Sequence, residues 1–310
     1  MTQLRIALIL LLIAASSIIH IGPLVLVGVV KALLPFASVR RAANPLLTGI
    51  AESWIGLNNA MIRAFTGTRI TVEGDAHLHR DGHYLVIANH QSWVDILVLQ
   101  YVFNRRIPLL RFFLKRQLFW VPLLGLAWWA LDFPFMGRYT ARQIARNPAL
   151  AGKDIEATRR ACEKFRAFPV AIMNFVEGTR FTPAKHARQQ SPYRHLLKPK
   201  SGGVAFVLDA MGEGLHSILD ISIAYPDGIP TMADLIGDRI RDVRVRVRQR
   251  PLPPEMLHGD YQNDRGFRAR FQQSMNTLWQ EKDADLAALL GTGGHASTAQ
   301  AAGGAASPPM

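Results

Sequence analysis

A histidine placed five residues before an aspartate is the first arrangement in this chain that could do chemistry. His90-Gln91-Ser92-Trp93-Val94-Asp95 follows the strand-like run YLVIAN at 84–89. If His90 sits just outside a helix starting after Ser92, its ring can fold back within reach of Asp95. A carboxylate on one imidazole nitrogen fixes the tautomer and raises the basicity of the other, giving a general base for a hydroxyl. The same residues have a plainer use: Ser92 can cap the helix, and Asp95 can complete a capping box. No GxSxG nucleophile elbow accompanies the pair. Direct attack by an activated substrate hydroxyl therefore suits the residues better than an acyl-enzyme.

Two further stretches could receive an anion. Phe175-Val176-Glu177-Gly178-Thr179-Arg180-Phe181-Thr182 follows a second strand-like run. Gly178 allows a tight turn, and Arg180 offers a fork of donors suited to phosphate. Glu177 could orient Arg180 or hold the loop. Alone, the tetrapeptide reads first as a turn with a solvated arginine. Phe135-Met136-Gly137-Arg138 closes the apolar stretch LFWVPLLGLAWWALDFPF at 118–135. There Arg138 either meets a phosphate beside hydrocarbon or snorkels from an interface.

These loops need elements to carry them, and the chain is long enough for one substantial core: 310 residues, 49% of them hydrophobic. That excludes disorder for most of its length. Lysine and arginine number 36 against 23 acids, a net +13, which suits nucleic acid or an anionic membrane surface. A single cysteine, Cys162, excludes an intramolecular disulfide and multi-cysteine metal sites. No metal or bound cofactor is expected.

The N-terminus favours the membrane. Between Arg5 and Lys31 lie 25 uncharged residues. At about 1.5 Å per residue a helix of that length crosses a hydrocarbon layer of roughly 30 Å. A signal peptide cut near Ala14-Ala15-Ser16 fits less well, because the apolar run continues beyond it. Pro23 and His20 leave a re-entrant or tilted insertion beside a plain span. Lys31, Arg40 and Arg41 follow the segment, whereas Arg5 alone precedes it. This bias puts the rest of the chain in the cytoplasm. Residues 45–65 carry Leu47, Ile50, Trp54, Leu57, Met61 and Phe65 at helical spacing, for a core helix or one lying in the interface.

From 68 to 250 strand-like runs (69–74, 84–89, 107–110, 168–175, 218–225, 243–249) alternate with helical patterns (93–104, 117–130, 152–167, 202–212). The alternation predicts an α/β fold, a mixed sheet covered by helices. Three units follow: N-terminal membrane-anchoring helices at 1–67, an α/β domain at 68–290 and a low-complexity, disordered tail at 291–310. VRVRVR at 243–248 reads as an edge strand with a solvated arginine face, or as a cationic face against lipid head groups. Arg105, Arg106, Arg111, Lys115 and Arg116, interleaved with apolar residues, read as a membrane-facing surface.

Together, NHQSWVDI (89–96), FPFMGR (133–138), FVEGTRFT (175–182) and ISIAYP (221–226) resemble, in order and spacing, the four blocks of the glycerolipid acyltransferase family. That family includes 1-acylglycerol-3-phosphate acyltransferases. FVEGTRFT with Lys185 most resembles its lysocardiolipin acyltransferase-like and bacterial branch. The fourth block departs from the commoner form in carrying Ala224-Tyr225 before Pro226. The resemblance implies transfer of a fatty acyl group from acyl-CoA or acyl carrier protein to the free hydroxyl of a lysophospholipid, with His90 as base and Asp95 orienting it. It also implies that Arg138, Glu177, Gly178, Thr179 and Arg180 hold the acceptor phosphate. The favoured acceptor is 1-acylglycerol-3-phosphate, and lysocardiolipin or lysophosphatidylglycerol are alternatives. The expected setting is the inner (cytoplasmic) membrane with its anionic lipids, the catalytic domain facing the cytoplasm. A non-catalytic lipid-binding protein is the competing class, and His90→Ala discriminates the two. No nucleic-acid partner is expected, since no reading helix or RNA-binding sheet motif is present.

Overall fold

The computed structural model describes residues 2–291, except 35, 75, 76, 138, 140, 151 and 167. The N-terminal layer is α1 (Thr2–Leu33) and α2 (Ala37–Phe65). After β1 (Arg69–Glu73) and β2 (His83–Ala88) come α3 (Val94–Phe103), β3 (Leu110–Phe112), β4 (Leu114–Lys115), α4 (Leu124–Ala130) and β5 (Phe135–Met136). Next follow α5 (Ala141–Arg146), α6 (Lys153–Phe165), β6 (Val170–Phe175), α7 (Pro183–Gln189) and α8 (Gly202–Met211). The last elements are β7 (Ser217–Ala224), α9 (Met232–Ile236), β8 (Asp242–Arg250) and α10 (Arg265–Gly291). The expected tail at 291–310 lies almost wholly outside the described residues.

The main sheet is mixed, in the order β1-β8-β7-β2-β6-β3, and its only antiparallel pair among the described residues is β7–β8. β4 and β5 form a separate parallel ladder. The near-continuous apolar runs of β2, β6 and β7 place them centrally, where both faces are covered. Period-two alternation divides their side chains between two cores. Tyr84, Val86 and Ala88 pack with α2, α3 and α4, whereas Leu85 and Ile87 pack with α6, α8 and α10.

Pro23 does not interrupt α1, and α2 begins before Pro45 and runs through it. One face of α1 turns inward at Ile21 and Leu24, which join Leu47, Ala51 and Ile55 of α2 in the same apolar cluster as the sheet. His20 bridges the two helices: its Nδ1–H donates to the Ser16 carbonyl, and the Ser53 hydroxyl donates to Nε2. The outer face leaves Leu11, Ile18, Ile19 and Leu26 exposed. Both ends of α1 are tied to the α/β domain, Arg5 to Asp238 at 3.3 Å and Lys31 to Asp132 at 2.5 Å. The helix thus lies along the domain for roughly 40 Å.

Two expectations are corrected here. β8 is an inner strand, between β1 and β7, and the edges are β1 and β3. Its valines enter the core, while its arginines meet acids: Arg246 pairs with Asp285 at 2.8 Å and Glu73 at 2.9 Å, and Arg248 with Asp285 at 2.6 Å. A carboxylate from α10 is what lets an arginine face sit inside a sheet. Arg111 likewise does not face a membrane. It is 4% exposed, its guanidinium 4.7 Å from the centre of the Phe168 ring, with Nε–H donating to the Leu131 carbonyl. Alternation along β3 turns it toward the α6 side of the sheet.

Candidate active site

The carboxyl ends of β2, β6 and β7 converge, and the loops that leave them build one site. Working residues gather beyond the carboxyl ends of parallel strands such as these three. Asn89, fully buried after β2, accepts the Ile223 N–H at 2.8 Å and donates to the Ile223 carbonyl at 2.9 Å. That pair of bonds locks β2 against β7 just before His90.

The His90 ring lies flat on Phe175 of β6, centroids 3.9 Å apart. Its Nδ1 is 2.8 Å from Asp95 Oδ2. The same oxygen accepts the backbone N–H of Gln91 at 2.6 Å and of Ser92 at 2.8 Å. Asp95 thus both steadies the start of α3 and orients the imidazole. Only half of the expected capping box forms, because Ser92 Oγ accepts from Val94 and donates to the Pro230 carbonyl. With Nδ1–H donated to a carboxylate, Nε2 is the nitrogen that can take a proton. The His90 side chain is 14% exposed and that of Asp95 1%, so one end of the dyad is open and the other is sealed.

The third motif grips the same loop. Phe181 N–H donates to the His90 carbonyl at 2.7 Å, and His90 N–H donates to Glu177 Oε1 at 2.8 Å. Glu177 was expected against the acceptor phosphate, but it is fully buried and its other oxygen accepts the Leu197 N–H at 3.0 Å. Its two oxygens thus hold the His90 loop to the segment at Leu197. Burial pushes its carboxyl up to about 8, against the pull of those two amides.

Beyond it the chain turns outward at Gly178, whose φ of +68° favours glycine. A Cβ there would also come within 3.1 Å of the Lys200 side chain. The turn presents Thr179, half-buried, and Arg180, exposed. Lys185 Nζ donates to Thr179 Oγ1 and to the Arg180 carbonyl, each at 2.8 Å. The Arg180 guanidinium sits 5.0 Å from the centre of the Trp93 ring, so the first and third motifs touch. Three cationic side chains, Arg180, Lys185 and Lys200, therefore surround one exposed turn. Arg138 lies outside the described residues. Among the described residues no three His, Cys, Asp or Glu side chains gather into a metal-binding set.

The fourth motif supplies a residue that the sequence reading did not place in the site. Tyr225, just past β7, donates its hydroxyl to Asp95 Oδ1 at 2.6 Å and is 4% exposed. Burial, and then Asp95, hold its phenol well above the usual range, so it stays a donor. The signal was present as a phenol at the buried end of a strand beside the one that leads to His90.

An aromatic row links this corner to the N-terminal layer. Phe175 neighbours Phe112 at 6.1 Å, and Phe112 stacks near Phe133 at 6.4 Å. Phe133 lines a cavity of about 60 Å³ between α2, α3 and α4, with Ala51, Ile55, Phe103 and Trp128.

The sequence model of the family described as acyltransferase matches residues 69–226, which include all four motifs and the whole of β1 through β7. Lysocardiolipin acyltransferase 1 of Mus musculus is 27% identical over 218 residues, covering 65% of this chain and 55% of that protein. 1-Acyl-sn-glycerol-3-phosphate acyltransferase 2 of Brassica oleracea is 28% identical over 202 residues, 59% of this chain and 49% of that protein. The chain spans about half the length of these curated relatives. Among solved structures, the 1-acyl-sn-glycerophosphate (LPA) acyltransferase PlsC from Thermotoga maritima is 17% identical with a TM-score of 0.49, covering 90% of this chain and 98% of that one. With just over half of its residues matched by the family model, the chain belongs to the acyltransferase family.

Proposed function

We propose that the protein transfers a fatty acyl group from acyl-CoA, or from acyl carrier protein, to the free hydroxyl of 1-acylglycerol-3-phosphate, giving phosphatidic acid. The observation that carries this reading is the His90 Nδ1–Asp95 Oδ2 contact of 2.8 Å, set beside the exposed Arg180 turn. In this mechanism His90 Nε2 takes the hydroxyl proton as the oxygen attacks the thioester carbonyl. The tetrahedral adduct collapses, the C–S bond breaks, and the proton on His90 passes to the departing thiolate. Asp95 stabilises the imidazolium in between. General-base help of this kind is worth about 10²–10⁴-fold.

Arg180, with Thr179 and Gly178 shaping its turn and Arg138 arriving from the second motif, binds the acceptor phosphate. No bound cofactor takes part. Membrane attachment follows from α1, which is long and apolar enough to cross a bilayer. The ties at both of its ends favour a helix lying in the interface, its exposed leucines and isoleucines in hydrocarbon. Trp120, 81% exposed, adds to that surface. The setting is the cytoplasmic face of the inner membrane, where both long-chain substrates partition.

Lysocardiolipin and lysophosphatidylglycerol are the next acceptors to consider, the former because relatives from Mus musculus, Danio rerio and Gallus gallus are named for it. The test is acyl transfer from labelled oleoyl-CoA and from an acyl carrier protein donor, by membranes containing the chain. Lysophosphatidic acid, lysocardiolipin and lysophosphatidylglycerol are offered separately. Preferred formation of phosphatidic acid supports the reading. Preference for another acceptor moves the substrate, and no product from any pair removes the activity.

A further inference from the structure

We infer that Tyr225 is a positioning residue that sets the pH range of the base: its hydroxyl, 2.6 Å from Asp95 Oδ1, draws on the carboxylate that faces His90. For catalysis this rests on the reading of His90 as general base. The argument begins with how the two oxygens of Asp95 divide their work. Oδ2 receives His90 and the amides of Gln91 and Ser92, while Oδ1 receives Tyr225. Asp95 is buried, so no solvent stands in for a missing donor. The phenol is steered to this oxygen by Asn89, which holds Ile223 two residues before it, and its burial keeps the proton on the phenol.

A donor on Oδ1 spreads the carboxylate's charge over a second hydrogen bond. Less of that charge then stabilises the imidazolium, and His90 gives up its proton at a lower pH than it would beside a carboxylate without the phenol. The other charged or titratable groups around His90 are Glu177 and Arg180 on the β6 loop. Lys282 of α10 and Asp95 both act on Glu177. None of them bonds to Tyr225 among the described residues, so replacing the phenol leaves their arrangement in place.

The variant is Tyr225→Phe, which removes one oxygen and keeps the ring in the core. The first readout needs no substrate. The His90 imidazole of the full chain is titrated by NMR in detergent, its signal assigned by its loss in His90→Ala. The midpoint should rise by roughly 0.5 in Tyr225→Phe. The second readout is the pH profile of acyl transfer. Its acidic limb should move up with the NMR midpoint, so that turnover falls about threefold below the limb and recovers at higher pH. In an Asp95→Asn background the Tyr225 substitution should shift neither measurement further. An unchanged His90 midpoint overturns the inference, as does a loss of turnover equal at every pH, which is what a purely structural role would give. If the wild type transferred no acyl group to any lysophospholipid, the proposed function would fall, and the NMR titration would still decide the role of Tyr225.

Discussion

Asp95, in the first turn of α3, and Asp220, on β7, are both buried, at 0% and 2% exposure. Their partners differ. Asp220 meets Lys282, itself fully buried, and Arg250 at 2.9 Å; burial lowers the pKa of the lysine, and Asp220 opposes that shift. Asp95 meets one imidazole, one phenol and two amides. A buried carboxylate facing lysine and arginine fastens α10 to the sheet and cannot change its state without unfolding something. One facing a histidine has a partner whose second ring nitrogen can exchange a proton. The difference separates a structural ion pair from the pair proposed to be catalytic, in the same core.

The comparison would break first at His90. His90→Ala should lower turnover by about 10²–10⁴-fold, with the thermal midpoint nearly unchanged. A large loss of stability instead would make the dyad a structural pair like its counterpart. The mirror experiment is Asp220→Asn, which leaves the buried Lys282 charge facing a neutral amide. It should cost about 3–5 kcal/mol in denaturant titrations, with turnover per folded molecule preserved. Arg180→Ala tests the exposed turn: the acceptor KM should rise roughly 10- to 100-fold with a smaller change in kcat. Equal KM for the phosphorylated acceptor in both proteins would remove Arg180 from phosphate binding.

A pH series sharpens the role of Glu177. Its carboxyl is raised from 4.5 to about 8, so between those values the folded state binds more protons than the unfolded chain. The stability it contributes is full below about pH 4.5 and is lost as pH rises through about 8. Urea titrations at pH 5 and pH 9 should show this decline in the wild type and a flatter dependence in Glu177→Gln. The same slope in both proteins would assign the decline to other groups.

Much of this architecture was legible. The apolar runs ending in YLVIAN, FPVAIMNF and ILDISIAY became β2, β6 and β7, because strands buried on both faces need such runs. The juxtaposition of His90 and Asp95 was legible too, since a strand-to-helix turn brings positions five apart together. What escaped depends on partners distant in sequence. VRVRVR is locally identical whether it lies at an edge or inside, and Asp285, 39 residues from Arg246, decides it. Arg111 could be placed only once the Phe165 and Phe168 rings were known to cover it. Glu177 and Tyr225 act through single bonds to His90 and Asp95, 87 and 130 residues away, which no local pattern encodes. The strand expected at 107–110 forms at Leu110–Phe112, after Pro108, whose missing N–H suits the approach to a strand better than its interior.

The central claim is that His90 is the base for acyl transfer to a lipid hydroxyl. The most direct test compares wild type and His90→Ala, at equal folded amounts in the same membranes, for labelled phosphatidic acid formed from oleoyl-CoA and lysophosphatidic acid. The account predicts product from the wild type and, from the variant, at least a hundredfold less. Equal product from both proteins would contradict it.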